Sequence, residues 1–568
     1  MKIIMIVDIP PGLILIIGAF LVPLIPTGWL RKGYLLLLPV AGLLSLLSLE
    51  HGSFGEVSLF GYELMHVRID ALSFVFGIIF YIAAFVAILF SLHSKDVLEQ
   101  TAALAYAGAA IGAAFAGDLI TLFVYWELTA LTSVFIIWAG GNNRAYDAGM
   151  RYLIIQIFSG VLLAAGAVVQ AQKTGSLAFN FIGLDGPGGV LIFLAFGIKC
   201  AFPLMHNWLQ DAYPEASPTG TVFLSAFTTK LAIYALARGY PGTELLVWIG
   251  AAMTAFPIFF AVIENDLRRV LAYSLNNQLG FMVAGVGIGT QLAINGAVSH
   301  AFAHILYKAL LFMAMGAVLY RAGTAKGSEL GGLYKTMPWT TGFCIVGSAA
   351  ISGFPLFSGF VTKSMILTAA ADQDYLVPFL LLLFASAGVF HHSGIKIPFF
   401  AFFAHDSGLR PKEAPTNMLV AMGIAAILCF GIGVYPQPLY DILPYPVDYV
   451  PYTTTHVVTM LQLLMFSALA FAVLQKTGLY PPELRSTVLD FDWFYRRAGS
   501  TIVRNVLYSI SLAAGAIRSL MMQCLKYVIK QVRYHSGPES IAARATSAGT
   551  MVVWVILVLK LLLIIQFT

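Results

Sequence analysis

Charge is what this sequence has least of: only 10% of its 568 residues are Asp, Glu, Lys or Arg, against about 25% in an average soluble chain. So few charges cannot cover a water-facing surface of that size, which excludes an ordinary soluble protein. Cysteine is scarce too. Cys200, Cys344, Cys429 and Cys524 stand far apart with no CxxC pair, which removes zinc, iron–sulfur and dithiol redox chemistry and leaves structural apolar cysteines. P-loop, HExxH and GxGxxG patterns are missing, and GVGIG at 285–289 follows no predicted strand, so no nucleotide or dinucleotide site is expected. The net charge of +5 comes from 32 basic and 27 acidic residues with no basic run suited to nucleic acid. No cofactor, no metal and no nucleic-acid partner are expected.

Apolar residues make up 59% of the chain and the mean hydropathy is +0.85. The solvent is largely lipid. A crossing takes about 20 apolar residues, so with short loops the chain holds on the order of sixteen spans. The fold class expected is an all-α polytopic membrane protein of about 14–16 transmembrane helices. Lys2, Asp8 and Pro10-Pro11 precede a first apolar stretch that ends at Arg31-Lys32 without a small-residue cleavage pattern, which reads as an uncleaved helix and not a signal peptide.

Hydropathy divides the chain into five parts. Residues 1–100 carry N-terminal helices near 12–29, 33–49 and 70–92. Residues 101–239 form a first five-helix unit, with spans near 101–116, 118–139, 149–171, 189–209 and 219–238. Residues 245–403 form a second, with spans near 245–263, 270–288, 292–320, 342–370 and 376–403. Residues 404–475 add spans near 416–434 and 457–475, and 476–568 form a basic amphipathic segment followed by an apolar stretch, Met551 to Phe567. Odd-numbered connections and the span ends beside them carry most of the Lys and Arg outside the spans, whereas the even-numbered ones have only Arg68, Lys173 and Arg238. By the positive-inside rule the odd loops are cytoplasmic and the N-terminus is outside. The basic segment, with Arg496-Arg497, Arg504, Arg518, Lys526, Lys530 and Arg533, reads either as a helix lying in the membrane interface or as one more hairpin of spans.

Ionisable residues within apolar spans are costly and mark ion paths. Glu127 sits mid-span in LFVYWELTALTSVFIIW. Lys199 ends the run GGVLIFLAFGIK just before Pro203, which lacks a backbone donor and breaks the helix. Broken helices beside an ionisable group are a common build of transporter sites. In the second unit Phe354-Pro355 interrupts a span with Lys363 just beyond. Lys199 to Lys230 spans 31 residues and Lys363 to Lys396 spans 33, which places equivalent lysines on equivalent helices of two units and puts all four, Lys396 included, on the expected proton path. Because five is odd, the units are expected to be inverted relative to each other. In SHAFAHILYKALLF, His300, His304 and Lys308 follow at i, i+4 steps and share one helix face, a proton-relay pattern given histidine's near-neutral titration. His206 lies in the first broken segment as a candidate access group, and His391-His392 carry no assignment. Glu264, Asp266, Arg268 and Arg269 read as a solvated cytoplasmic loop.

The segments WELTAL, GIKCAFPLMHNWLQDAYPEA, NDLRRVLAYSLNNQLGF, HAFAHILYKALLF and GFPLFSGFVTK, spread between about 70 and 405, closely resemble the antiporter-like subunits of respiratory complex I and of Mrp-type cation/proton antiporters. The pairing of FLSAFTTKLAIYALAR with GIKIPFF looks most like the D subunit of the Mrp group. The resemblance implies that Glu127 and Lys199 form a modulating ion pair, that Lys230 and the His300, His304, Lys308 row connect two half-channels, and that Lys363 is the terminal proton site. It also implies other membrane subunits of one hetero-oligomeric complex as partners, protons and a monovalent cation such as Na+ as cargo, and the bacterial inner membrane as the location. Two departures stand out. Met205 intervenes between the Pro-Leu of the broken helix and His206, and the tail is longer than the Mrp D subunit implies, resembling the lateral helix and final span of the largest antiporter-like subunits.

The expectation is a transporter subunit, not an enzyme, exchanging protons for a monovalent cation. The alternative is a proton-pumping subunit of a complex I-like or hydrogenase-linked redox machine. A haem or quinone oxidoreductase is disfavoured, since His300 and His304 project from one helix face and cannot flank a haem.

Overall fold

The computed structural model describes residues 10–59, 61–484, 488–538, 540, 543 and 547–567; Lys2 and Asp8 lie outside them. The chain divides into two compact units, Met1–Val488 and Leu489–Thr568.

The first unit is helical apart from one hairpin. It opens with α1 (Leu13–Leu21) and α2 (Trp29–Leu47). An antiparallel hairpin follows, β1 (Gly52–Leu59) and β2 (Tyr62–Ile69), with Gly52 opposite Ile69. It fills the connection between the second and third spans, where hydropathy gives no helix. Asp70 then caps α3 (Ala71–Ser91) in a reciprocal box with Ser73, satisfying N–H groups that the first turn leaves open.

The next ten helices form two runs of five. The first comprises α4 (Val97–Ala114), α5 (Leu119–Trp138), α6 (Asn143–Thr174), the broken α7 (Pro187–Lys199) and α8 (Asn207–Ala212), and the split α9 (Gly220–Ala226) and α10 (Thr228–Gly239). The second comprises α11 (Glu244–Ile263), α12 (Leu267–Ile288), α13 (Gln291–Ala322), the broken α14 (Pro338–Ser352) and α15 (Ser358–Asp372), and α16 (Leu376–Phe403). Then come α17 (Thr416–Val434) and α18 (Thr454–Lys476). Among the described residues twelve helices are long and apolar enough to cross a membrane, and Leu13–Leu24 and Pro187–Lys199 are shorter apolar helices. The expected all-α multi-pass fold is therefore observed. Gly250 and Gly280 bring α11 and α12 into backbone contact: a Cβ on either would stand 2.6 Å from the other's carbonyl oxygen, the close approach small residues permit.

Local features recur between the runs. Asp118 caps α5 and bridges to Ala178, and Asp266 caps α12 and bridges to Lys326, each 148 residues on. The helices α6 and α13 both have 32 residues. Each proline break uses the same turn: the Phe202 N–H donates to the Gly197 carbonyl and the Phe354 N–H to the Ala349 carbonyl, while Leu204 and Leu356 adopt φ of 70° and 76°. Sequence position finds both of these breaks. It misses a third, between α9 and α10, where the span read as continuous at 219–238 splits at Phe227. No proline or glycine marks it. The Thr228 N–H donates instead to the hydroxyl of Tyr106 on α4 (3.0 Å), which also bonds the Thr228 hydroxyl (2.6 Å).

In the second unit α19 runs unbroken over Phe494–Ser536 for 43 residues, about 65 Å at 1.5 Å per residue. That exceeds twice the hydrocarbon thickness, and no turn interrupts the helix. At 100° per residue, Arg497, Arg504, Arg518, Lys526, Lys530 and Arg533 fall within an arc of about 120°, the pattern of an interfacial helix. The apolar α20 (Ala548–Phe567) follows.

Candidate functional site

Glu127 and Lys199 lie where α5, α6 and α7 meet. Lys199 is the last residue of α7 and fully buried. Its ammonium donates to the Trp126 carbonyl (2.5 Å) and Thr129 Oγ1 (2.7 Å) and lies 4.4 Å from the centre of the Trp126 ring. Glu127 sits between those partners in sequence, but its Oε1 accepts no hydrogen bond. The carboxylate instead occupies space left by Gly160 on α6, where a Cβ would stand 1.3 Å from Oε1. The expected Glu127–Lys199 pair is thus one of neighbouring charges, the lysine charge bearing on the carboxylate without a direct bond.

Glu127's contact explains what occupies the repeat-related positions. At the offset of 148, His300, His304 and Lys308 of α13 correspond to Tyr152, Gln156 and Gly160 of α6. Tyr152 bonds the Ser133 hydroxyl at 2.8 Å, and Gln156 is buried with both amide atoms unpartnered. One run thus holds a His–His–Lys row, and the other a Tyr–Gln–Gly row with a carboxylate over the glycine.

The break at Phe227 serves Lys230. Splitting α9 from α10 exposes the Ser225 carbonyl, to which the Lys230 ammonium donates. The charges that bear on His304 are those of Lys230, Lys308, His300 and Lys363, so lysines of both runs lie near enough to act on this histidine. Neither ring nitrogen of His304 nor the Lys308 ammonium has a hydrogen-bond partner. His300 is held by Thr362 Oγ1 at Nδ1 (3.1 Å) and by Gln278 Oε1 and the Tyr307 hydroxyl at Nε2 (both 3.3 Å). Tyr307 also donates to Gln278 Oε1, and the Gln278 amide donates to Asn277 Oδ1 (2.6 Å). Sequence reading passed over Gln278, Asn277, Tyr307 and Thr362; the run NNQ inside an otherwise apolar helix was the available signal.

Lys363, on α15, donates to the Ile351 carbonyl that the second break frees (3.2 Å) and faces the Phe281 ring at 5.2 Å. The two break-associated lysines are on related helices but not related positions: Lys199 precedes its Phe-Pro-Leu turn and Lys363 follows the other. No carboxylate bonds Lys230, Lys308 or Lys363 among the described residues. Lys396 stands apart from this axis, at the C-terminal end of α11, with an ion pair to Glu483. His206 directly precedes α8 and packs edge-on against Phe256. His392 bonds the Ser393 hydroxyl, which donates to Ser274. Among the described residues no group of three or more His, Cys, Asp or Glu is placed to hold a metal.

At the head of α3, Asp70 forms a two-toothed pair with Arg238 of α10, both bonds 2.8 Å. Burial alone would raise its carboxyl pKa, but the hydrogen bond and charge of Arg238, aided by the Ser73 N–H and the Arg68 charge, hold it at about 2.

A family model described as NADH:quinone oxidoreductase/Mrp antiporter, TM matches residues 116–428. A probable K+/H+ antiporter A/B subunit of Rhizobium meliloti is 30% identical over 59% of this chain and 36% of its own length. The D subunit of the Na+/H+ antiporter of Alkalihalophilus pseudofirmus is 30% identical over 58% and 71% respectively. The N subunit of an NADH-quinone oxidoreductase from Desulforudis audaxviator is 29% identical over 58% and 72%. Among solved structures, one protein of the Mrp complex of Dietzia superposes with a TM-score of 0.77 at 24% identity, over 92% of this chain and 63% of that one. The chain therefore spans only about a third of its Rhizobium relative and under two thirds of the Dietzia protein.

Proposed function

We propose, from the premise that this chain belongs to the transmembrane family of NADH:quinone oxidoreductases and Mrp antiporters, that it is the proton-translocating subunit of a multisubunit monovalent cation/proton antiporter in a bacterial inner membrane. The observation that supports the reading is that Lys230, His300, His304, Lys308 and Lys363 are all buried, and that lysine charges of both runs bear on His304. These are lysines and histidines alone, groups suited to protons. The runs 101–239 and 245–403 act as inverted half-channels, each opened by a broken helix. A proton arriving at Lys230 raises the potential at His304 and drives the next proton toward Lys363. Glu127 and Lys199 modulate this step, since moving the lysine charge relative to the carboxylate changes the field on Lys230. The similarity to the antiporter proteins of Rhizobium and Alkalihalophilus supports K+ or Na+ as the exchanged cation and other membrane subunits as partners.

The test is Lys199→Ala in the assembled complex, assayed for cation-driven proton movement in inverted vesicles. Transport is expected to fall by about tenfold or more, with assembly intact; a normal rate in an assembled variant overturns the mechanism. A second reading, the pump arm of a redox-driven complex, is favoured by the nearly equal identity to the NADH-quinone oxidoreductase protein. Mass spectrometry of the complex isolated in mild detergent separates the two. Small hydrophobic partners are expected for the antiporter, and iron–sulfur or hydrogenase-like partners would make electrons the driving force.

A further inference from the structure

Lys396 is held unlike the other buried lysines. Its ammonium donates to the carbonyls of Ala261 (3.2 Å), Val262 (2.7 Å) and Glu264 (2.6 Å) and lies 2.9 Å from Glu483 Oε1. The first two carbonyls end α11, the third follows it, and all lie at the negative end of the helix dipole. Glu483 reaches in from the segment after α18 with a side chain only 6% exposed. Glu264, in the loop the sequence reads as solvated, is instead buried, as is Arg268; it adds a second carboxylate, whose Oε1 accepts from the Asn265 and Asp266 N–H groups and whose Oε2 lies 3.4 Å from Arg269. Three carbonyl oxygens and a carboxylate oxygen thus surround one cationic centre inside the protein. Helix C-terminal carbonyls and buried oxygen shells are where membrane transporters and channels coordinate alkali cations, and an ammonium is close to K+ in size.

We infer that the oxygens of Ala261, Val262, Glu264 and Glu483 form a binding site for an alkali cation, Na+ or K+, in which the Lys396 ammonium is the tethered competitor. Its role in exchange rests on the antiport reading; the site itself does not. Charge balances locally. When the cation enters, Lys396 gives up one proton and its neutral amine moves aside on the four-carbon stem, so one cation is taken in for one proton released. The groups that face or bear on this exchange are Glu264, Glu483, His391 and His392, with Arg269 on Glu264 and Tyr480 beside Glu483. Burial raises the Glu483 carboxyl pKa and the Lys396 charge opposes the rise, so the carboxylate's ionisation depends on a cation beside it.

The experiment measures equilibrium binding of radiolabelled Na+ and Rb+ to the purified full-length chain, with N-methylglucamine as the bulk cation, between about pH 6 and pH 9. Wild-type binding is expected to rise with pH as the lysine yields its proton. Lys396→Met removes the competitor, so binding depends less on pH than in the wild type and is about tenfold tighter at the acid end, since an ammonium filling the site nine-tenths of the time raises the apparent Kd by that factor. Adding Glu483→Gln abolishes the gain. A monodisperse Lys396→Met protein that binds no more of either ion than the double variant overturns the site and leaves the lysine a helix cap. If Lys396→Met does not fold, Glu483→Gln alone decides: a tenfold loss of binding at the alkaline end supports the site, and unchanged binding overturns it. Cation-coupled transport without binding refutes the site and spares the antiport reading. Binding without transport supports the site and refutes the reading.

Discussion

At the scale of single residues, two contacts carry consequences for function and stability. The Glu127 carboxylate stays beside the Lys199 charge because Gly160 leaves it room. Gly160→Ala is expected to push that carboxylate aside by an ångström or more and to cut proton transport about tenfold while assembly survives, since only the far end of a flexible side chain must move. Proton uptake by vesicles together with complex recovery checks this, and unchanged transport would remove Glu127 from the path. Asp70 supplies a pH dependence. Its carboxyl is held at about 2 in the folded protein, below its value in an unfolded chain, so its pair with Arg238 stabilises above about pH 4 and is lost as pH falls through 2. The contribution is about 1–2 kcal/mol after screening of a partly exposed carboxylate. Asp70→Asn should lower thermal stability in detergent at neutral pH by that amount and flatten the acid limb of the profile; a parallel shift at every pH would show the charge to be irrelevant.

At the scale of elements, the breaks organise the site, and their surroundings hold them. Gly433 in the last turn of α17 lies against the second break, where an added Cβ would meet the Leu356 carbonyl oxygen at 2.2 Å and the Phe357 Cα at 2.4 Å. Both are backbone atoms that cannot rotate away. Gly433→Ala should destabilise the protein by about 1–3 kcal/mol, and, because the break supplies the carbonyl that holds Lys363, transport should fall with it. A melting curve and a transport assay of the same preparation report both, and a variant as stable as the wild type would show that α17 does not brace the turn. The first and second breaks were legible in the chain because proline removes a backbone donor wherever it stands. The third was not, since Phe227 has no such property and the hydroxyl that takes its place comes from Tyr106, about 120 residues earlier.

At the scale of the whole molecule, the uneven distribution of Lys and Arg over the connections predicts topology. The hairpin of β1 and β2 lies in an even-numbered connection and residues 404–415 lie in an odd one. In a Cys524→Ser background, the other three cysteines being buried, a cysteine at Glu56 should react with an impermeant thiol reagent from outside the cell. One at Lys412 should react only in inverted membranes, and the reverse pattern would invert the assignment. The sequence by itself determined that the chain is a multi-pass membrane protein, where its spans lie, which charges are buried within them and where two helices break. Each of these follows from transfer energy or backbone chemistry that a short stretch of chain carries alone. Only the tertiary structure decided that Lys230 gains a freed carbonyl, that lysine charges of both runs bear on His304, that Glu127 lies over Gly160, and that Glu483 and the end of α11 surround Lys396. Those arrangements join residues tens to more than two hundred positions apart, and the energies that fix them are those of packing and of satisfying buried polar groups, which no local pattern encodes.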